Sequence, residues 1–287
     1  MSALLRGERK AAALQYSRLG ETVDARETRD AETIEAVLAA PARTMRVLDL
    51  DLDFFLQDCC PLAPIGERPT LAGHAPWPVE TVRAFLEMQC GLSPAHPTPG
   101  AIFPTHDCAL EFWQRRMAEG RLLAPFHVTH VDAHSDLGIG YDLGIGYPGT
   151  GFVRNGVLPM QPDKRCDIGR YRAQKQLDEA NYLLFAIAFR YVAALDNVRN
   201  PRSRPDVPQE ILVPGRADAI RLDSFAARLM ESKNGSEPLV PFHVYEDYRT
   251  FSSDAAYDFV TLAISPRYAP AAADALVPVI GAYIAEE

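Results

Sequence analysis

The segment Pro125-Phe-His-Val-Thr-His-Val-Asp-Ala-His-Ser-Asp136 reads as a buried strand over about Phe126 to Val131 that runs into three polar groups. Side chains alternate along an extended chain, so Asp132, His134 and Asp136 point to one side at intervals of roughly 6 to 7 Å. Two carboxylates and an imidazole converging on one small volume are a ligand set for a divalent ion such as manganese, iron or zinc, with no thiolate in competition. A strand end often carries Asp or Ser, and a lone His is usually a hydrogen-bonded structural residue. Three ligand-type side chains in register, with only Ala133 and Ser135 between them, are much harder to explain that way.

Arg46-Val-Leu-Asp-Leu-Asp-Leu-Asp-Phe-Phe55 supplies more of the same chemistry. Its strict alternation predicts a strand from Val47 to Asp53 with Asp49, Asp51 and Asp53 on one face and Leu48, Leu50 and Leu52 on the other. Carboxylates at that spacing repel one another unless a cation neutralises them. A solvated edge strand would tolerate them, but the leucine face and the following Phe54 and Phe55 argue for burial, where unneutralised charge is costly.

The Asp132-Ala-His-Ser-Asp136 run resembles the Asp-Ala-His-x-Asp signature of the arginase/ureohydrolase family, and Asp51-Leu-Asp53 resembles that family's Asp-x-Asp motif. The pairing of Asp-Leu-Asp-Leu-Asp-Phe-Phe with a later His-Val-Asp-Ala-His-Ser-Asp-Leu-Gly is more similar to an arginase-related branch that includes peptide arginases, which convert arginine side chains of ribosomally made precursor peptides to ornithine. The resemblance spans most of the chain from Arg46 onward, although its specific motifs occupy few residues. One departure is that the Asp-x-Asp strand precedes the Asp-Ala-His strand instead of following it, which implies a rearranged strand order. The resemblance implies a three-layer α/β/α sandwich of arginase/deacetylase type and two manganese ions. Asp132 and one of Asp51 and Asp53 would bridge the ions, His106 and Asp136 would complete one, and His134 with the other carboxylate would complete the second. Asp136 is also expected to take part in catalysis, and Asp49, one step further from the strand end, to stand behind the ligands. The implied reaction is hydrolysis of the guanidino group of a peptide arginine to ornithine and urea. Two rivals are an amide deacetylase of the same superfamily, which would use one zinc and a tyrosine, and a metal-stabilised binding protein without turnover.

Ordinary arginases hold the guanidinium with a Glu on the last strand, and the matching position here is Ala263. Glu246, at the end of a predicted strand Phe242-His-Val-Tyr-Glu246 placed beside the final strand, is the candidate replacement, with Asp247, Asp142 and Glu179 in reserve. An exposed loop carboxylate is the plain alternative for Glu246.

At 287 residues, 47% hydrophobic and 23% charged, the chain has the composition of a soluble globular protein with room for one large α/β domain. No apolar run approaches the ~18 residues of a membrane span, and the N-terminus has no secretory apolar core, so a cytoplasmic protein is expected. A net charge of -9 argues against nucleic acid and suits a cationic substrate. The expected partner is an arginine-containing precursor peptide, with homo-oligomerisation allowed. Cys59, Cys60, Cys90, Cys108 and Cys166 show neither metal spacing nor a paired framework and read as reduced thiols.

Taken in order, residues 1–44 read as a helical extension, with a helix over 31–39 capped by Asp30, and residues 45–287 as the catalytic domain. A Pro-rich loop over 59–78, a helix over 79–89 and a second Pro-rich loop over 93–104 follow. Thr105 reads as the N-cap of a helix from His106 to Glu119, which puts His106 in the first turn, where the dipole favours the neutral ring. After Asp136 a tandem Leu-Gly-Ile-Gly-Tyr repeat reads as a mobile rim bearing Tyr141, Asp142 and Tyr147. A helix over 177–195, a loop over 197–214, a helix over 217–230, a turn over 233–236, strands over 240–245 and 259–264 and a helix over 270–285 complete the expectation. Apolar strands alternating with amphipathic helices imply a mostly parallel sheet whose functional groups gather at the strand carboxyl ends.

Overall fold

The computed structural model describes residues 43–70, 72–138, 165–222 and 237–287. The expected helix over 31–39, the repeat residues Tyr141, Asp142 and Tyr147, and the turn over 233–236 lie outside them. Residues from Thr44 onward form one unit built on an eight-stranded sheet. Its strands are β1 (Arg46–Asp51), β2 (Thr98–Phe103), β3 (Phe126–Asp132), β4 (Val192–Arg199), β5 (Ala219–Ile220), β6 (Val240–Tyr245), β7 (Phe259–Ala263) and β8 (Ile284–Glu286). They lie in the order β5-β6-β4-β3-β1-β7-β2-β8, and every pairing is parallel except that of β5 with β6. The fold is therefore α/β with a mostly parallel sheet.

Alternate residues of the same strands enter two separate cores. Val47, Val128 and Phe259 join one, with Trp113, Tyr182 and Phe185. Leu48, Leu50, Val131 and Leu262 join the other, with Phe54, Phe85 and Ile280. Because successive side chains of a strand point to opposite faces, the two cores lie on opposite faces of the sheet. The nearly unbroken apolar runs of the central strands follow from burial on both sides.

Helix is scarce among the described residues. It comprises α1 (Val79–Ala84, continued by a π turn over Phe85–Gln89), α2 (Cys108–Ala118), α3 (Ile168–Ala173), α4 (Tyr182–Ala188) and α5 (Val277–Gly281), none long and apolar enough to cross a membrane. Four expectations need correction. The helix over 177–195 is in fact α4 followed by β4, broken at Arg190 with φ 62°; a short apolar run such as Val192–Leu195 has no period that separates helix from strand. The loop over 93–104 contains β2, whose Gly100 is demanded by close packing, since a Cβ there would stand 1.7 Å from the Val260 carbonyl oxygen. The closing helix is a 3-10 segment (Ala271–Leu276), α5 and then β8, and the start of the helix over 217–230 is β5. Residues 223–230 of that last helix lie outside the described residues.

Candidate metal centre

The three central strands present their carboxyl ends side by side. Asp49 of β1 is in register with His130 of β3 and Thr261 of β7, and Asp51 with Ala263. Period-two alternation puts Asp49 and Asp51, and likewise His130 and Asp132, on the face that carries Val47 and Val128.

β1 ends at Asp51, not at Asp53, and Leu52–Phe55 forms a 3-10 turn capped by the Asp51 carboxylate on the Asp53 N–H at 2.9 Å. Asp53 is thus off the strand face predicted for it, yet the turn swings it back to the site, where its carboxylate accepts from the Ala133 N–H at 3.3 Å. Asn200 fixes this turn by donating to the Phe54 and Leu56 carbonyls at 2.8 and 2.7 Å. β3 ends at Asp132, after which Ala133–Asp136 forms a tight loop with Asp136 at φ 48°. The Ser135 N–H of that loop donates to Asp206 at 2.8 Å, and Asp206 also pairs with Arg199. α2 starts at Cys108, so His106 sits in the turn just before the helix, and Thr105 meets the Cys108 thiol instead of capping.

Two overlapping groups of ligand-type atoms result. His106, His130, Asp132 and Asp136 form one, and Asp53, Asp132 and His134 the other, with donor atoms within 4.8 Å of one another in each. Asp132 belongs to both. Its Oδ2 lies 3.1 Å from His106 Nδ1 and 3.4 Å from His130 Nε2, while its Oδ1 lies 3.5 Å from His134 Nδ1. His106 Nδ1 is also 3.0 Å from Asp136, and His134 Nδ1 is 3.0 Å from Asp53. A buried cluster of this composition could hold a metal ion.

Sequence reading missed His130. It lies two residues before Asp132 on the same strand, so continuing the alternation backwards by one step would have found it. Asp51 stands outside both groups, 3.2 Å from His106 and bonded by the Ser265 hydroxyl. Asp49 is fully buried behind the histidines, 3.2 Å from His106 Nε2 and 3.5 Å from His130 Nδ1, and takes hydrogen bonds from Tyr182 and Thr261. Tyr182 had no sequence signal beyond its place in an apolar run.

The electrostatics of the protein alone are those of a cation site. Burial, then the charges of Asp51 and Asp132, pushes the Asp53 carboxyl well above the usual range, and burial with Asp132 does the same to Asp136. Burial opposes ionisation of Asp49 and Asp132 as well, but the adjacent histidines bring both below it. Burial opposes protonation of His106 and His134, and the oxygens around them, Tyr182 and Asp49 for the first and Asp53 for the second, raise both. His130 Nε2 is buried without a hydrogen-bond partner, while His106 Nε2, also without one, faces the Asp49 carboxylate on the far side of the ring. An unmade group such as His130 Nε2 suits a ligand.

His134 is the partly exposed member of the cluster, its ring centroid 5.0 Å from that of Tyr268, and marks the open side. Glu179 lies near this side, largely buried and 3.5 Å from Arg267, with its charge felt by Tyr268. Glu246 does not fit the role expected of it. β6 is separated from β7 by β4, β3 and β1, and the Glu246 side chain is 71% exposed and faces Arg199 at 3.8 Å. All five cysteines are free thiols. No family model matches the chain, and no curated protein or solved structure is significantly similar to it.

Proposed function

We propose that the chain is a hydrolase of arginase type that holds two divalent ions, most suitably manganese, and converts arginine side chains of a peptide to ornithine with release of urea. The observation that carries this reading is the division of Asp132, one oxygen toward each ligand group, so that this one carboxylate would serve both ions. The donor set of carboxylates and imidazoles without thiolate suits manganese, and the crowding of buried acids with the unbonded His130 Nε2 supports a cationic occupant. His106, His130, Asp132 and Asp136 would hold one ion, and Asp53, Asp132 and His134 the other. The three-layer arginase/deacetylase-like sandwich belongs to the same proposal, supported by the cores on both faces.

The chemistry supplied by such a pair when bound is Lewis-acid polarisation and a water of lowered pKa. The chain's own residues do the rest. Asp49, with Tyr182 and Thr261, orients the two histidines from behind, as partners on the far side of ligands do. Glu179, a reserve candidate from the sequence, replaces Glu246 as the carboxylate that receives the guanidinium at the open side. Water oxygen adds to the guanidino carbon, the bond to the side-chain nitrogen breaks, and the proton passes to that nitrogen as it leaves as the ornithine amine.

Tyr268 beside His134 favours the amide deacetylase as the second reading, since that chemistry wants a tyrosine at the mouth. Metal analysis and product assay separate the two. The expected result is about two manganese ions per chain and urea from an arginine-containing peptide in preference to free arginine or agmatine. A single zinc with acetate release, or no urea from any guanidino substrate, would overturn the proposal.

A further inference from the structure

A cavity of about 380 Å³ lies between β4 and β6 and the segment 205–218. Val207, Leu212, Phe242 and Val244 give it apolar walls, and Arg199 and Glu246 are among its polar groups. Arg199 is 1% exposed. Its Nη1 donates to Asp206 at 2.7 Å and its Nη2 to the Arg204 carbonyl, while Nε has no hydrogen-bond partner. The nearby Glu246 Oε2 is at 3.8 Å, beyond hydrogen-bond reach, on an exposed side chain. A buried donor left unmade keeps its desolvation penalty uncompensated.

Asp206 already answers the charge of Arg199, so Nε calls for a neutral acceptor more than for a second anion. Beside it Glu246 offers an acceptor for an N–H. A donor and an acceptor set side by side beside an apolar cavity are complementary to the C=O and N–H of one extended residue with an apolar side chain, which point to the same side of the chain. The position adds to this. Arg199 of β4 is in register with Asp132 of β3, and β6 is one strand further, so the cavity lies about 10 Å along the same sheet end from the candidate metal cluster, roughly three extended residues.

We propose that this cavity is a subsite that holds an apolar side chain of a polypeptide, with Arg199 Nε–H donating to the adjoining carbonyl and Glu246 accepting from the adjoining N–H. That the same polypeptide presents its reacting residue to the metal cluster rests on the hydrolase reading; occupancy of the cavity does not.

The probe is N-acetyl-leucinamide titrated into the full-length protein as purified and followed by isothermal titration calorimetry, with N-acetyl-glycinamide as control. Saturable binding of the leucine amide, at least about tenfold tighter than the glycine amide, is expected from burial of the isobutyl group. Leu212→Trp should fill the cavity and abolish binding while metal content stays at the wild-type level. Glu246→Ala, at an exposed position, should weaken binding severalfold and carries the test if the tryptophan is not accommodated. Equal binding of the two amides, or undiminished binding in both variants, would overturn the subsite. Amide binding as expected without urea release from any arginine peptide would sink the hydrolase reading and leave the cavity standing; urea release with indifferent amide binding would do the reverse.

Discussion

Val131 and Asp132 are neighbours in sequence, as are Leu50 and Asp51, yet within each pair the side chains meet opposite physics. On one face Leu48, Leu50, Val131 and Leu262 pack in a core with no polar partner to satisfy. On the other, at the same strand ends, Asp49, Asp51, Asp132, His106 and His130 are equally buried but mutually dependent. The apolar face stabilises the sheet by roughly 1.5–3 kcal/mol for each aliphatic side chain taken from water. The polar face returns nothing comparable until a cation is present, because burial and the neighbouring acids hold the Asp53 and Asp136 carboxyls beside it against ionisation. One face therefore carries stability, and the other carries function if the proposed hydrolase reading holds. Substitutions one residue apart should separate the two.

The largest separation is expected at Asp132. Asp132→Ala removes the carboxylate common to both ligand groups, so both metals and all urea release should be lost, as read by elemental analysis of the folded variant. Full metal occupancy in that variant would refute the shared-ligand assignment. The counterpart across the sheet is Leu50→Ala. It should cost about 2–5 kcal/mol in denaturant unfolding, because Leu50 is wholly buried, while the folded fraction binds metal with unchanged stoichiometry. A variant that keeps its stability would show that this face is loosely packed.

The sequence disclosed the polar face better than the frame that carries it. Strand alternation was enough to align Asp132 with Asp49 and Asp51, and the acids were conspicuous in otherwise apolar runs. His134, Asp136 and Asp53 reach the cluster too, but by routes alternation does not describe, a positive-φ loop for Asp136 and a 3-10 turn for Asp53. His130 was passed over because it precedes the cluster of acids, though it obeys the same period. The edges of the sheet were illegible for a different reason. β2 contains Pro99 and Gly100, which read as loop residues until Val260 packs against the missing Cβ, and β8 is too short to show a period. Glu246 was misplaced since strand order, which sets β6 away from β7, is a tertiary property that no local pattern encodes.

Metal removal sharpens the contrast through pH. His106 and His134 have folded values raised above 6.5, so their contribution is fully present below 6.5 and is lost as pH rises through the raised values. Asp53 and Asp136, raised above 3.8, lose stability in the same upward direction. Asp49 and Asp132 are lowered and lose theirs only on acidification below 3.8. Metal-free protein should therefore melt a few degrees lower at alkaline pH than near pH 6.5, where ~1 kcal/mol corresponds to about 2–4 °C for a chain of this size. Manganese should flatten that slope, because bound cations replace the protons. A metal-free melting temperature that climbs above pH 6.5 would contradict the directions assigned to both histidines.

The smallest effect is expected at Glu179, which belongs to neither face's core and stands at the open side. The turn that carries it rests on the metal loop, the Ala180 carbonyl accepting from Gly138 N–H at 2.9 Å. Burial raises its carboxyl from 4.5 to about 7 against the pull of Arg267. A folded value above the unfolded one means that its contribution to stability is present below 4.5 and is lost as pH rises through about 7. Glu179→Gln should accordingly melt slightly above the wild type in mildly alkaline buffer. If Glu179 receives the substrate guanidinium, the ionised form that the empty protein disfavours is the one the substrate needs. The KM for an arginine peptide should then fall as pH rises through about 7, in step with its deprotonation. In Glu179→Gln that dependence should vanish and KM rise about tenfold, the scale of one charged hydrogen-bonded contact, with kcat and metal content little changed. A variant that melts higher but keeps the wild-type KM and its pH profile would leave Glu179 a structural partner of Arg267 and remove it from substrate binding.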